Sequence, residues 1–415
     1  MSVRKIAFET ICNVMINDGY SNLLLRNINL DDQRDQALLN ELVYGTLQNF
    51  LYLEHQWQRY VDDKINLKIK CLLNMSIYQL LYLDKIPEYA VVDEAIRIAS
   101  KIEHGKYKAL CNALLRRFIN EGENKATPSD KLEAIALKTS HPYWLIKMWV
   151  SHYGEKTAIA ICEHNNLRRP MALRINELKT DKKTIFSDKR FSMGRLTDCA
   201  CYFQGNIFVT DYFNNNEILI QDEASQYVSI FAAPNLNDNV LDMCSAPGSK
   251  AIHMAELMKL TGHIDALDIH QHRVELINQM IEKLAITNIK THVMDALLVD
   301  QHLIQASYDI VLLDAVCSGL GVCNHKPEIK LLIKPEELDQ VVSLQQQLLT
   351  KAGLMVKKDG FLIYSTCTLN KKENEKQIER FLIDNNNYVL IKQLTILPMQ
   401  YDTDGFFMAK LQRIG

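Results

Sequence analysis

The sequence predicts a multidomain α plus α/β protein: an all-helical amino-terminal bundle, a small mixed α/β connector and a carboxyl-terminal doubly wound, mostly parallel sheet. Three observations carry this. Up to about residue 125, apolar residues recur at helical spacing. Between residues 170 and 221 the pattern changes to short alternating runs separated by Asn and Asp clusters. From about residue 222 onward, strand-like apolar runs alternate with helical patterns, as a parallel sheet with crossover helices requires.

In chain order, helices are expected over residues 4–15, 36–50, 67–83, 91–101 and 108–119, with Pro87 and Gly105 as punctuation. Charges, Gly122 and Pro128 mark a boundary over residues 121–130, which closes a first domain at 1–130 large enough to bury its own core. Residues 131–165 carry two more helical patterns, one holding Trp144 and Trp149. Alternation over 171–176 and again at Ile207, Phe208 and Val209 reads as strand, giving a connector over 131–221. In the last domain, 222–415, strands are expected at 240–243, 263–268, 290–294, 309–313, 360–365 and 405–411, with helices such as 273–284 and 335–357 between them.

Composition narrows the class. The 415 residues are 47% hydrophobic and 23% charged, which excludes a disordered chain, a coiled coil and a collagen. With 15 Gly and 9 Pro, no long flexible linker is expected. No apolar run approaches the roughly 18 residues of a membrane span, and the start, Met1-Ser2-Val3-Arg4-Lys5, leads into an amphipathic helix instead of a signal core, so a cytoplasmic protein without membrane attachment is expected. A net charge of −3 rules out a global positive field, so a nucleic-acid partner needs a local basic patch. None of the 10 cysteines forms a C-x-x-C pair, so neither a disulfide framework nor a metal site is expected. Most should be buried, reduced thiols.

The chemistry-bearing residues lie after strands of the last domain. Asp242-Met243-Cys244-Ser245-Ala246-Pro247-Gly248-Ser249-Lys250 follows the first strand and opens a helix, where small residues and free N–H groups admit a ligand. It is neither G-x-G-x-x-G nor a Walker A loop. Asp268 ends the second strand, at the distance that suits ribose hydroxyls, and Asp295 ends the third, where an acid accepts from an adenine amino group. A single Asp at a strand end is more often a cap; two in succession favour a nucleoside site. The fourth strand runs into Asp314-Ala315-Val316-Cys317-Ser318-Gly319-Leu320-Gly321, and the fifth into Ser365-Thr366-Cys367-Thr368. Either cysteine alone reads first as an inert buried thiol. Together, flanking one crevice with Asp314, they argue for covalent chemistry.

These motifs, with Gln221-Asp222-Glu223-Ala224-Ser225-Gln226, Tyr364, Glu373-Asn374-Glu375 and Asp404-Gly405-Phe406-Phe407, resemble those of the NOL1/NOP2/Sun family of RNA cytosine-C5 methyltransferases. Five ordered motifs span about 190 residues. Val91-Val92-Asp93-Glu94-Ala95 and the stretch from Cys111 through Arg116, Arg117 and Phe118 resemble the NusB-like RNA-binding domain. The resemblance implies a NusB-like bundle fused to a Rossmann-like class I methyltransferase, S-adenosylmethionine as cofactor, and 16S rRNA as partner, with a target at cytosine 967. It implies no DNA partner, and a monomer is the default.

By resemblance, Cys367 is the nucleophile that adds to cytosine C6, Asp314 hydrogen-bonds the N3/N4 edge of the base, and Cys317 assists product release. Cys244, Ser245, Ala246, Pro247, Gly248, Ser249 and Lys250 hold the methionyl part of the cofactor, Asp268 the ribose, Asp295 the adenine, and Asp314 borders the cofactor pocket. Arg116, Arg117, Arg168, Arg169 and Arg174 are candidates for the RNA backbone track; a solvated basic face is the alternative for each. The chain departs from the family at Val316, where proline is usual, and at Ser245 and Ser249, where Ala and Gly are usual. Two other functions stay open: a tRNA cytosine-C5 methyltransferase, and a non-catalytic RNA-binding assembly factor.

Overall fold

The computed structural model describes residues 2–61 and 65–415. The chain folds as two compact units: residues 1–167 with 323–333, and residues 168–322 with 334–415. The expected boundaries at 130/131 and 221/222 therefore differ from the division seen. The helices after residue 130 join the first unit, and the connector joins the second.

The helical unit is built from Val3–Asn17, Gln33–Gln48, Leu67–Tyr82, Glu88–Ala99 and Lys108–Glu121, with shorter helices Ser21–Arg26 and Phe50–Gln58 between them. Side chains of Asp32, Asn66 and Asp130 cap their helices by accepting from the backbone N–H of Arg34, Lys68 and Glu133. Ile11, Leu39, Leu42, Leu47, Leu72 and Ile77 are fully buried on the inward stripes. Two details fix the packing. The Trp57 indole N–H donates to Asn74 Oδ1 at 2.7 Å inside this core. At Gly45 a Cβ would fall 2.0 Å from the Tyr78 ring, so only glycine lets the two helices approach. Residues 131–165 form three helices, not the two expected: Lys131–Thr139, Tyr143–Tyr153 and Glu155–Asn165. Gly154, at φ +82°, separates the last two.

The segment 323–333 belongs to this unit although the chain around it does not. Glu328 accepts from the backbone N–H and hydroxyl of Ser21, both at 2.9 Å. Lys330 is fully buried, and its ammonium donates to Gln48 O at 3.0 Å, Asn166 Oδ1 at 3.2 Å and Thr139 O at 3.4 Å. Burial among neutral acceptors lowers its pKa to about 8.

The second unit holds two sheets. The smaller is antiparallel, with β1 (Leu173–Ile175), β2 (Phe191–Met193), β3 (Ala200–Phe203) and β4 (Ile218–Ile220) in the order β2-β3-β1-β4. Ile207–Val209 is a 3-10 turn and not a strand, because the Asn206 side chain accepts from the Phe208 N–H and starts the turn. The larger sheet has β5 (Asn239–Asp242), β6 (His263–Asp268), β7 (Ile289–Val293), β8 (Tyr308–Asp314), β9 (Val356–Thr366), β10 (Tyr388–Ile396) and β11 (Phe406–Arg413). Its order is β10-β11-β9-β8-β5-β6-β7. The first five of these strands in sequence pair in parallel, and β11 runs antiparallel between β9 and β10. All six strands expected from sequence are present; β10 is additional. Because β5 is central and the chain leaves it in both directions, the carboxyl ends of β5 and β8 form the switch point where such sheets bind ligands.

Candidate active site

Parallel register brings the motif residues to one edge of the sheet. Asp242 pairs with Leu312 and Ala266, and Asp314 with Ser365. Asp314, at the end of β8, accepts from the Lys250 ammonium at 2.7 Å on one oxygen and from the Ser365 hydroxyl at 2.7 Å on the other. Lys250 arrives from the first turn of the helix Ser249–Leu257. Burial alone would lower the Lys250 pKa, but the Asp314 charge and the nearby Cys367 sulfur outweigh it, and the net shift is upward. The ammonium therefore stays charged beside Cys367.

Cys317 and Cys367 face each other with 3.3 Å between sulfurs, and both are partly exposed. The neighbouring Cys367 and burial hold the Cys317 thiol well above its ordinary pKa. Burial and the surrounding Asp242, Asp314 and Asp268 charges push the Cys244 thiol up, and these fixed carboxylates, unlike the Cys367 sulfur beside Cys317, oppose its thiolate throughout.

The loop before helix Ser249–Leu257 is tight. Ser245 N–H donates to Leu267 O at 2.8 Å and Gly248 N–H to Ser245 O at 2.6 Å. Gly248 sits at φ +92°, and a Cβ there would come 3.0 Å from Ile277, so glycine is needed twice over. Asp242, which the sequence reading treated only as the start of its motif, is 1% exposed, and neither of its carboxylate oxygens has a hydrogen-bond partner. Burial, and next the Asp314 charge, raise its pKa to about 7. The buried Ser245 hydroxyl is also without a partner. The Ser245 hydroxyl, the Lys250 charge and the Cys244 N–H lie near enough to offset part of the cost of burying Asp242 but not all of it.

Asp268 and Asp295 lie at adjacent strand ends. Asp268 accepts from His270 N–H at 3.0 Å and Asp295 from Leu297 N–H at 2.9 Å, each through Oδ1. Both are thus caps. Ala246, Pro247 and Ser249 line the same turn, with Ser249 as the first helical residue.

The basic residues divide. Arg116, Arg117 and Arg168 are exposed. Arg116 and Arg117 bond to Asn112 at 2.9 Å and Glu121 at 2.7 Å within their own helix. Arg174 is not available to RNA: it is 1% exposed and its guanidinium is held by Glu256 and by Gln221, the latter at 2.7 Å. Arg169 is likewise withdrawn, its side chain 6% exposed and paired with Asp404 at 2.8 Å. Both serve structural ion pairs in a strand and a loop that face inward. Among the described residues, no cluster of His, Cys, Asp and Glu is arranged to hold a metal ion, and no helix is long and apolar enough to cross a membrane.

The chain was compared with known proteins. The family described as 16S rRNA methyltransferase RsmB/F matches residues 229–412, the NusB family matches 1–120, and the ferredoxin-like domain of RsmF/B-like methyltransferases matches 141–188. The chain is 35% identical to the probable ribosomal RNA small subunit methyltransferase B of Bacillus subtilis (strain 168), over 100% of this chain and 99% of that protein. It is 28% identical to the ribosomal RNA small subunit methyltransferase B of Proteus mirabilis (strain HI4320), over 99% of each. The crystal structure of PH0851 superimposes with a TM-score of 0.86 at 24% identity, covering 99% of this chain and 98% of that one, which shows a shared fold.

Proposed function

The chain belongs to the 16S rRNA methyltransferase RsmB/F family, and on that premise we propose that it methylates C5 of one cytosine of 16S rRNA, the family's cytosine 967, with S-adenosylmethionine as methyl donor. The observation that carries the C5 chemistry is the pair of thiols 3.3 Å apart beside the Lys250–Asp314 pair. Cytosine C5 is a poor nucleophile, and adding a thiolate at C6 is the way to activate it. That addition needs one thiol to attack and a second group to complete release.

The residues present fit the cofactor. Asp242 and Ser245 offer buried oxygens without partners, which suit the ammonium of a methionyl group. The loop from Cys244 to Lys250 would hold that group, Asp268 the ribose and Asp295 the adenine; at Asp268 the ribose would share Oδ2 with Arg273. When bound, S-adenosylmethionine supplies the methyl group: the C5–CH3 bond forms as the sulfonium S–CH3 bond breaks.

The chain's own residues do the rest. The target base must leave its stack to reach the crevice. Lys250 lowers the cost of the Cys367 thiolate. That thiolate adds to C6, and the C5=C6 pair moves toward C5 and the N3/N4 edge. Asp314 accepts from the N4 amino group and orients that edge. Once Cys367 is bonded to C6 it no longer holds the Cys317 proton, which passes to solvent. After methylation Cys317 as thiolate takes the C5 proton, the pair re-forms C5=C6, the Cys367–C6 bond breaks, and Cys367 leaves as thiolate. Arg116, Arg117 and Arg168 are the exposed cations of the original set left for the RNA backbone.

The test is methyl transfer from labelled S-adenosylmethionine to unmodified 16S rRNA and, separately, to tRNA. Label on one 16S cytosine, lost with Cys367→Ala, is expected. Label on tRNA alone moves the substrate, and RNA binding without label to either favours an assembly factor.

A further inference from the structure

Cys317 lies in a stretch with neither helix nor strand, residues 315–319, so hydrogen bonds on its two sides must set where its thiol points. On one side, Gln345 Nε2 donates to Val316 O at 2.9 Å. On the other, Ser318 N–H donates to Glu373 Oε2 at 2.9 Å and the Ser318 hydroxyl to Glu373 Oε1 at 2.6 Å. Gln345 and Glu373 also meet each other, Nε2 to Oε2, at 3.1 Å. Asn370 Nδ2 completes the set on Glu373 Oε1 at 3.0 Å. The Ser318 hydroxyl also lies 2.7 Å from the Thr368 hydroxyl, one residue beyond Cys367.

Glu373, Gln345, Thr368 and Asn370 are all fully buried. These four donors to the Glu373 carboxylate are neutral: one backbone N–H, one hydroxyl and two amides. Burying a carboxylate in such company is costly unless every donor is aimed at it. An acceptor-only group is what four convergent donors require. The tie also runs where Val316 leaves φ free and proline would fix it.

We propose that Glu373, together with Gln345, is the positioning residue for Cys317, and that it acts on the release step through the residues flanking that thiol. This rests on the assignment of release to Cys317 made above. Glu373 touches neither thiol in the set of bonds described, so its loss should spare the steps that precede release. In Glu373→Gln one oxygen becomes an NH2 group, and two of the four donors lose their acceptor.

The experiment compares wild type, Cys317→Ala, Glu373→Gln and Ser318→Ala on a 16S rRNA transcript with labelled S-adenosylmethionine. Three readouts are taken: methyl incorporation in a single turnover, the multiple-turnover rate, and the protein–RNA band that survives SDS and disappears with protease. Glu373→Gln should turn over about 100-fold more slowly, the scale of a misplaced reacting group. It should accumulate the covalent band as Cys317→Ala does, with single-turnover incorporation within about threefold of wild type. Ser318→Ala removes one hydroxyl and keeps the backbone bond to Glu373, so it folds even if Glu373→Gln does not. It should show the same band with turnover slowed about tenfold. Unchanged turnover, or single-turnover incorporation that falls in step with turnover and leaves no band, overturns the proposal. A band with Cys317→Ala and none with the other two overturns the clamp alone. No band with Cys317→Ala overturns the cysteine assignment beneath it.

Discussion

Replacing Asp242 with asparagine should stabilise the ligand-free protein at pH 8. The carboxylate is 1% exposed, without hydrogen-bond partners, and its pKa is raised from 3.8 to about 7 by burial and by Asp314. A shift of about 3 units at about 1.4 kcal/mol each is about 4 kcal/mol. The sign follows from the raised value. The neutral form is favoured in the fold, so its contribution is complete below pH 4 and is lost as pH rises through 7. At pH 8 the wild type bears the whole net penalty of an ionised, buried group beside Asp314, and asparagine is spared it. The gain should approach that figure at pH 8 and vanish near pH 4. The tryptophans, Trp57, Trp144 and Trp149, all lie in the helical unit, so their fluorescence does not report on this site. Hydrogen exchange of peptides from β5, β6 and β8 does. A variant that exchanges faster than wild type at pH 8, or keeps the wild-type pH dependence, would refute the reasoning. If the cofactor ammonium seats on Asp242, binding near pH 6.5 should also release a proton, seen as buffer-dependent heat in calorimetry.

Arg174→Met should destabilise the second unit by about 3–5 kcal/mol, because it strands Glu256 in the interior, and should leave RNA affinity unchanged in a filter-binding assay. Lys330 has a lowered pKa of about 8, so the unfolded chain binds the extra proton and the helical unit should gain stability as pH rises from 8 to 10. Tryptophan-monitored urea unfolding reads this, and Lys330→Met should abolish the slope. Gly248→Ala should weaken S-adenosylmethionine binding at least tenfold, about 1.4 kcal/mol, since φ +92° and Ile277 both oppose a Cβ, while sparing the fold of the helical unit.

The parallel core was legible because its strands are buried on both faces, so Val240, Leu241, Ile310 and Leu312 stand in unbroken apolar runs. β10 was not, because it is an edge strand: its apolar run, Tyr388 to Ile391, is short, and Val389 to Gln393 are exposed, so no alternation marks a buried face. The turn at Ile207 shows the converse, since three apolar residues form a strand only if a partner lies alongside. Cys317, Cys367, Asp314 and Lys250 were legible because each directly follows a strand of the parallel sheet or the loop it feeds. What sequence spacing could not show was pairing at a distance. Arg174 meets Glu256 across 82 positions, and Lys330 meets carbonyls of Gln48 and Thr139, groups that carry no side-chain signal. Asp242 stood in plain view at the head of its motif. Its missing partners are a property of the fold alone.

In the proposed mechanism Cys367 attacks the base and Cys317 releases it. The most direct measurement digests the covalent complex of Cys317→Ala with 16S rRNA and locates the modified peptide by mass spectrometry. A single cytidine attached to Cys367 is expected. Attachment at Cys244, Cys323 or any other residue, or a Cys317→Ala enzyme that turns over without a covalent complex, would contradict it.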